Sequence, residues 1–333
     1  LISSIFKQKS SNVLQIKDHV IRYIAAKSPT ISSIKGYDEY LLPKGIIERG
    51  KIVDRPAFNE IMTDCVKKWQ LKYKEVKFFV PDSSLFFRKL TIPSNIPDDD
   101  VRGYLNFEIG SNIHLPFEDA YFDFQFLTTD EENEGADKEI LFFATPEPLI
   151  REYQEILEKL KLRPIVADVS SLCIHQLYST LQGYDPEEHY LFVEWDLTSI
   201  NLSIFQNHLP VFMRHIPLTM GEEDWEVEVE EDKHILICKN EERILMEMTD
   251  QLSEIERVMN FYKYSLQQGE KEITTIVLVG DHPMLSTIKE RMSIYGTKLN
   301  LLTEKDLGLN SQRPDVSTGF VVPLSLCLKE VSK

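Results

Sequence analysis

Residues Tyr190–Leu218 read YLFVEWDLTSINLSIFQNHLPVFMRHIPL, and this stretch decides the fold. Three strands are expected in it. Tyr190–Trp195 is a short apolar run, Ile200–Phe205 alternates Ile, Asn, Leu, Ser, Ile, Phe, and Pro210–Ile216 follows the turn residues Gln206-Asn207-His208. Apolar runs broken by turn residues mark an antiparallel meander. The first turn carries Asp196-Leu197-Thr198-Ser199, with a carboxylate and two hydroxyls.

A second meander stands near the start. Val13–Ala26, VLQIKDHVIRYIAA, predicts two strands about Lys17-Asp18, and Ile34–Leu41 a third. The two meanders read as the opening sheets of two related domains, although no residue-level repeat is visible. After the first, Asp54 caps a helix with Pro56 in its first turn, running to about Leu71, and Val76–Val80 is a buried strand.

From Ser83 to Leu162 the pattern is β-α-β-β-α. Leu85–Ile92 is a strand, and Asp98-Asp99-Asp100 opens a helix expected to reach about Asn112. Ala120–Thr128 alternates, with Phe122, Phe124 and Phe126 on one face. Past an acidic loop, Asp130–Lys138, come the strand Glu139–Ala144 and the helix Glu147–Lys161, with Thr145 as its cap. A block with its own sheet and helices reads as an inserted subdomain.

Pro164–Val169 returns as a strand and Ser170–Leu181 as a helix, before the linker Gly183-Tyr184-Asp185-Pro186. After the second meander, the acid-rich Gly221–Lys233 is expected to be a solvated strand pairing with His234–Cys238, not a metal site. Glu241–Gln268 reads as one long amphipathic helix, Ile276–Val279 as a buried strand ending in Gly280-Asp281-His282-Pro283, and Met284–Tyr295 as a helix. Leu299–Leu301 is a short strand and Phe320–Leu328 a closing helix.

At 333 residues the chain is long enough for two domains. Its net charge of −17 argues against nucleic acid and against a basic face on anionic lipid. The cysteines, Cys65, Cys173, Cys238 and Cys327, lack metal spacing and sit in apolar surroundings, so buried free thiols of a reducing cytosol are expected. No apolar run approaches membrane-spanning length, and the first residues read as a disordered leader. The eight histidines are dispersed, and no nucleophile–base set can be argued from spacing.

The order of these elements resembles actin-like proteins, and more closely the PilM family of type IV pilus assembly proteins. The resemblance is carried by FFRKLTIPSNIPDDDVRGYLNFEIGSNIHLPFEDAYFDFQFL (Phe86–Leu127), EIERVMNFYKYSL (Glu254–Leu266), IVLVGDHPMLSTIKERM (Ile276–Met292) and GFVVPLSLCLKE (Gly319–Glu330). It implies an α/β, actin-like (ribonuclease H-like) two-domain fold with an inserted subdomain of the type called 1C in the cell-division protein FtsA. On that reading residues 1–12 are a leader and 13–182 domain I, with the insertion at about 83–162. Residues 187–314 are domain II with a shortened IIB, and 315–333 the closing helix. The implied role is a cytoplasmic scaffold at the inner face of the cell membrane, in a pilus, secretion or competence platform. It would bind the cytoplasmic N-terminal tail of a bitopic PilN-like protein in a groove between subdomains 1A and 1C. The assembly ATPase or a second copy is a further expected partner, and the membrane is reached only through the partner.

The resemblance also raises a nucleotide, since some members bind ATP between the domains. Phosphate-wrapping turns need glycine to aim successive N–H groups at oxygens. Here the family's first-turn Asp-x-Gly is absent from LQIKDHVIRYI, Leu197-Thr198 replaces Ile-Gly in the second, and a Gly-Gly has become Gly280-Asp281. The residues left are Asp18, Asp196, Thr198, Ser199 and Gly280, so no cofactor and no ATP hydrolysis are expected. Asp18 and Asp196 could hold Mg²⁺ or simply cap turns. The tail groove offers Pro81, Leu85, Phe87, Leu90, Pro93, Tyr104, Phe107, Glu108, Leu115, Pro116 and Phe117, each with ordinary core packing as the alternative. The competing functions are a nucleotide-gated ATP-binding platform component, an FtsA-like polymerising protein, and a small-molecule kinase, for which no catalytic Asp with sugar-binding polar residues is visible.

Overall fold

The computed structural model describes residues 10–127, 136–218, 224–230, 233–303, 305–307 and 317–329. The start of the expected leader, most of the acidic loop before residue 138 and the first acids of the 221–233 stretch lie outside these residues. The chain forms two compact units, one of residues 84–157 and one of the residues on either side.

In the larger unit the first meander is β1 (Ser11–Ile16), β2 (Val20–Ala26) and β3 (Ile34–Leu41). Ser11 and Asn12, expected in the leader, already belong to β1 and pair with Ala26 and Ala25. A small hairpin, β4 (Ile47–Glu48) and β5 (Lys51–Ile52), leads to helix α1 (Arg55–Lys68). Asp54 caps α1 by accepting the Ala57 N–H at 3.0 Å. Strand β6 (Glu75–Phe79) follows.

The smaller unit comprises β7 (Phe86–Ile92), α2 (Val101–Glu108), β8 (Ala120–Phe126), β9 (Lys138–Pro146) and most of α3 (Glu147–Lys159). Its sheet runs β7-β9-β8, antiparallel throughout. Val101 and Leu105 of α2 pack with Ile92, Ile140 and Phe142, and Phe122, Phe124 and Phe126 flank that core. Two expectations are corrected. Helix α2 stops at Glu108, whose carbonyl accepts the N–H groups of Ser111, Asn112 and Ile113, while Gly110 turns through φ +89°. Thr145 is not a cap: β9 extends through Pro146, and the Thr145 hydroxyl bonds that of Ser84 at 3.0 Å.

The larger unit resumes with β10 (Arg163–Asp168) and α4 (Ser170–Gln182). The second meander is β11 (Tyr190–Trp195), β12 (Ser199–Gln206) and β13 (Leu209–Pro217). A hairpin, β14 (Trp225–Glu230) with β15 (Lys233–Cys238), is followed by α5 (Glu241–Phe261). The helix expected to reach Gln268 ends at Phe261. Tyr262–Leu266 widens to a π turn, closed by Gln267 N–H to Tyr262 O at 3.0 Å. Buried Tyr262, held by His189, sits at this change. The chain closes with β16 (Thr275–Val279), α6 (Leu285–Met292), β17 (Lys298–Leu301) and α7 (Val321–Leu328).

The two large sheets share one topology. Their orders are β3-β2-β1-β6-β10 and β13-β12-β11-β16-β17, each an antiparallel meander continued by two parallel strands. Strands buried on both faces read as unbroken apolar runs, and β16, TIVLV, is buried throughout. Helices α4 and α7 share a core with both sheets, through Cys173, Ile174, Leu324 and Leu326 against Val13, Ile24, Phe192 and Val277. Helices α5 and α6 cover the other face of the second sheet, through Met248, Ile255 and Ile288 against Val193, Trp195 and Leu278. The repeat is one of fold, and it sets the first turns of the two meanders opposite each other.

Candidate functional site

The turn between β1 and β2 is tight, with Lys17 N–H bonding Val20 O at 2.9 Å. Lacking glycine, it cannot open a row of N–H groups around a phosphate. Asp18 lies in this turn. Its carboxylate accepts the backbone N–H groups of Arg49 and Gly50 at 2.6 and 2.9 Å and so fastens the β4–β5 hairpin. The opposite turn, between β11 and β12, closes by Asp196 N–H to Ser199 O at 2.8 Å. Thr198 Oγ1 lies 3.3 Å from His19 Nδ1. Ser199 starts β12 and pairs with Pro217.

Between these turns lies a network of charges that sequence spacing did not reveal. Lys17 Nζ contacts Glu194 Oε1 at 2.5 Å and also bonds Asp196 Oδ2. The Glu194 and Asp196 side chains are 3 and 2 % exposed and that of Lys17 12 %. Burial disfavours the ammonium, but Asp196, Glu194, Asp82 and Asp281 outweigh it, and the Lys17 pKa is raised. Beside it, Asp281 accepts from Arg22 Nη1 at 2.6 Å, from His19 Nε2 at 2.8 Å and from the Leu197 N–H at 3.1 Å. Against the penalty of burial, His19 and Arg22 hold the Asp281 carboxyl well below its usual range.

A third cluster completes the network. Ser170 Oγ lies 2.8 Å from Asp82 and 2.9 Å from Glu194. Asn201 Nδ2 reaches the same acids at 3.0 and 3.4 Å, and its Oδ1 accepts from His215 Nδ1 at 2.7 Å. One hydroxyl donates one proton, so the second carboxylate contact of Ser170 needs a proton on the acid. Asp82 is the acid suited to carry it: burial, with the charge of Glu194, pushes its pKa up to about 7.

Several features of the site oppose a nucleoside triphosphate with Mg²⁺. The Leu197 N–H, of the kind a phosphate would use, already serves Asp281. Gly280, at φ +138°, is pressed so closely on β11 that a Cβ there would lie 2.1 Å from the Trp195 carbonyl oxygen. The cavity beside Lys17, Asp82, Ser199 and His215 has about 50 Å³ of space, whereas small-molecule pockets start near ~300 Å³. Among the described residues, no three His, Cys, Asp or Glu side chains are grouped to hold a metal ion.

The residues expected to meet the tail divide by surroundings. In the smaller unit Leu90, Tyr104, Leu115 and Phe117 pack on the core beneath α2. Half-buried Phe87 meets Phe143 at 5.1 Å between ring centroids. Glu108 ends α2 and bonds the Asn112 amide. Leu85 and Pro93 are half-buried, and Pro93 O accepts the Ile96 N–H at 3.0 Å. Pro116 is exposed, and Phe107 is 80 % exposed on the side of α2 away from Leu105. Pro81, in the larger unit, packs where a Cβ on Gly50 would stand.

The missed residues carry one faint signal. Arg22 and Glu194 are single charges inside the apolar runs VIRYIAA and YLFVEW. Such charges must find partners when buried, but the sequence does not say which.

The sequence matches the family model "Type IV pilus assembly protein PilM" over residues 14–304. No curated protein sequence matches. Among solved structures, a PilM–PilN type IV pilus biogenesis complex is similar at TM-score 0.74 and 15 % identity, covering 96 % of this chain and 98 % of that one. The ethanolamine utilization protein EutJ from Carboxydothermus hydrogenoformans is similar at TM-score 0.52 and 8 % identity, over 96 and 89 % of the chains. A Bacteroides thetaiotaomicron protein with an actin-like ATPase fold gives TM-score 0.50 at 8 % identity, over 99 and 100 %. At such identities these likenesses establish the actin-like fold.

Proposed function

This chain belongs to the PilM family of type IV pilus assembly proteins, and on that premise we propose that it is a non-enzymatic scaffold that holds the cytoplasmic tail of a PilN-like membrane protein. Membership makes it a pilus assembly component. The reading of its task is supported by likeness over 96 % of the chain to a PilM captured with PilN. No helix among the described residues is long and apolar enough to cross a membrane, and in this reading the chain works at the inner face of the cell membrane, through its partner. An extended tail gains affinity from backbone hydrogen bonds and specificity from pockets for its side chains. Phe107 is the most exposed large hydrophobic residue of the matching stretch. A cleft whose charges already satisfy one another supports a scaffold that does not hydrolyse ATP.

The test is a fluorescence-anisotropy titration of a labelled PilN-type N-terminal tail peptide with the full chain. Saturable binding is expected, weakened about tenfold, or ~1.4 kcal/mol, by Phe107→Ala with the melting temperature unchanged. Absence of binding by folded protein would overturn the reading, and ATP turnover by the same preparation would return a nucleotide-gated component to first place.

A further inference from the structure

The cleft whose features oppose a nucleotide is closed all the same. We propose that Lys17 is a built-in counter-cation and Asp281 a built-in anion, which together hold the cleft shut in place of a metal–nucleotide pair. The inference rests on those features of the cleft and not on the identity of the pilus partner.

Lys17 comes from the turn opening the first sheet. Glu194 and Asp196 come from the end of β11 in the second, 177 and 179 residues away. Two buried carboxylates repel each other unless a cation stands between them. Divalent ions gather carboxylates in this way, and an ammonium with three N–H donors can do the same by hydrogen bonds. Being covalently tethered, it never dissociates. The second oxygen of Glu194 is held by Ser170 and Asn201, one from each side of the cleft.

Asp281 completes the substitution. A phosphate in a turn of this kind needs backbone N–H groups and cationic side chains. The Asp281 carboxylate takes one of each kind, the Leu197 N–H from the second meander and Arg22 from the first, with His19 as a third donor. The Arg22 guanidinium lies 2.7 Å from where a Cβ on Gly319 would stand, and over the Phe320 ring at 5.8 Å. The chain therefore carries both charges that a nucleotide complex would bring. It holds one closed arrangement, and a change of state in the platform must originate in a partner.

Hydrogen exchange of the isolated full chain tests this. In the wild type, adding ATP with Mg²⁺ should leave exchange at Lys17–Arg22, Asp196–Ser199 and Asp281–Leu285 unchanged; slowing there overturns the proposal. Lys17→Ala should exchange faster by roughly tenfold or more at the same stretches. Mn²⁺ alone should slow that variant again, because the freed carboxylates regain a cation. Wild-type exchange in Lys17→Ala, or no response to Mn²⁺, refutes the counter-cation. Should Lys17→Ala not fold, the neutral K17M/E194Q/D196N variant serves. It should exchange faster than the wild type and ignore Mn²⁺, and full protection would refute the clamp. Loss of tail binding in a separate assay leaves these readings untouched.

Discussion

Arg22 and Asp281 are 259 residues apart in the chain, and their side chains meet at 2.6 Å. The pair ties the strand leaving the first turn to the loop that follows β16. Both side chains are nearly inaccessible, at 6 and 4 % exposure. A buried pair of this kind gains little over apolar packing, but losing one member strands the other. Asp281→Asn should therefore destabilise the protein by about 3 kcal/mol in urea titration. Adding Arg22→Met should cost less than the two single changes summed, by roughly 1 kcal/mol or more of coupling. Strict additivity would show that the pair does not act as a unit.

Asp82 sets a pH dependence of definite sign. Its pKa, raised from 3.8 to about 7 by burial and by Glu194, means that the folded state keeps a proton that the unfolded state has lost. The contribution is full below the ordinary carboxylate range, declines as pH rises, and is gone once pH passes about 7. Asp82→Asn, which stays neutral, should gain stability relative to the wild type between pH 5 and pH 7 and hold a constant difference above that. Urea midpoints at four pH values would read it, and parallel curves would show that Asp82 is ionised throughout.

Asp281 works in the opposite direction. Held below its usual range by His19 and Arg22 against the penalty of burial, it stabilises the fold above the unfolded carboxylate pKa. That contribution disappears as pH falls through its depressed folded value. Acid unfolding should consequently be shallower in Asp281→Asn than in the wild type, measured by far-ultraviolet circular dichroism below pH 4.

Gly280 is tested by one methyl group. A Cβ would stand 2.1 Å from the Trp195 carbonyl oxygen, at a φ of +138° that other residues rarely adopt. Gly280→Ala must part the ends of β11 and β16 and should cost on the order of 4 kcal/mol or prevent folding. Gly103→Ala, where nothing lies within 4 Å of the added carbon, is the control. Its helical site should be stabilised by up to about 1 kcal/mol.

The thiols should separate into two classes. Cys65, Cys173 and Cys327 are buried, with burial pushing Cys65 up to about 12 and Cys327 up to about 11 and raising Cys173 well above the ordinary thiol range. Cys238 is partly exposed. A thiol reagent at pH 8 should modify one cysteine in the native protein and the rest only on unfolding. Rapid reaction of more than one would contradict the packing of α1, α4 and α7.

The architecture was largely legible because apolar runs and turn residues are local signals. The meander at Tyr190–Leu218, its counterpart at Val13–Leu41 and the strand at Ile276–Val279 are marked by residues that lie next to one another. Errors fell where distant contacts intervene. The end of α5 depends on Tyr262 reaching His189, 73 residues away. Thr145 looks like a cap until its strand is seen to continue beside β7 and β8.

The cleft shows the same division. Loss of glycine from the first two turns is visible in the sequence, and so is Asp281 following Gly280, because turn geometry is a property of a few adjacent residues. Lys17 could be read only as a turn residue and Asp196 only as a turn acid or a metal ligand. Whether a buried charge is a ligand, a cap or half of an ion pair depends on what faces it. The folded chain, with its two superposed topologies, placed Lys17 against Glu194 and Asp196, and Arg22 against Asp281. In a buried site the free energy of a charge is set by its neighbours within a few ångströms. For these residues the neighbours are supplied by the tertiary fold and not by adjacent positions in the chain.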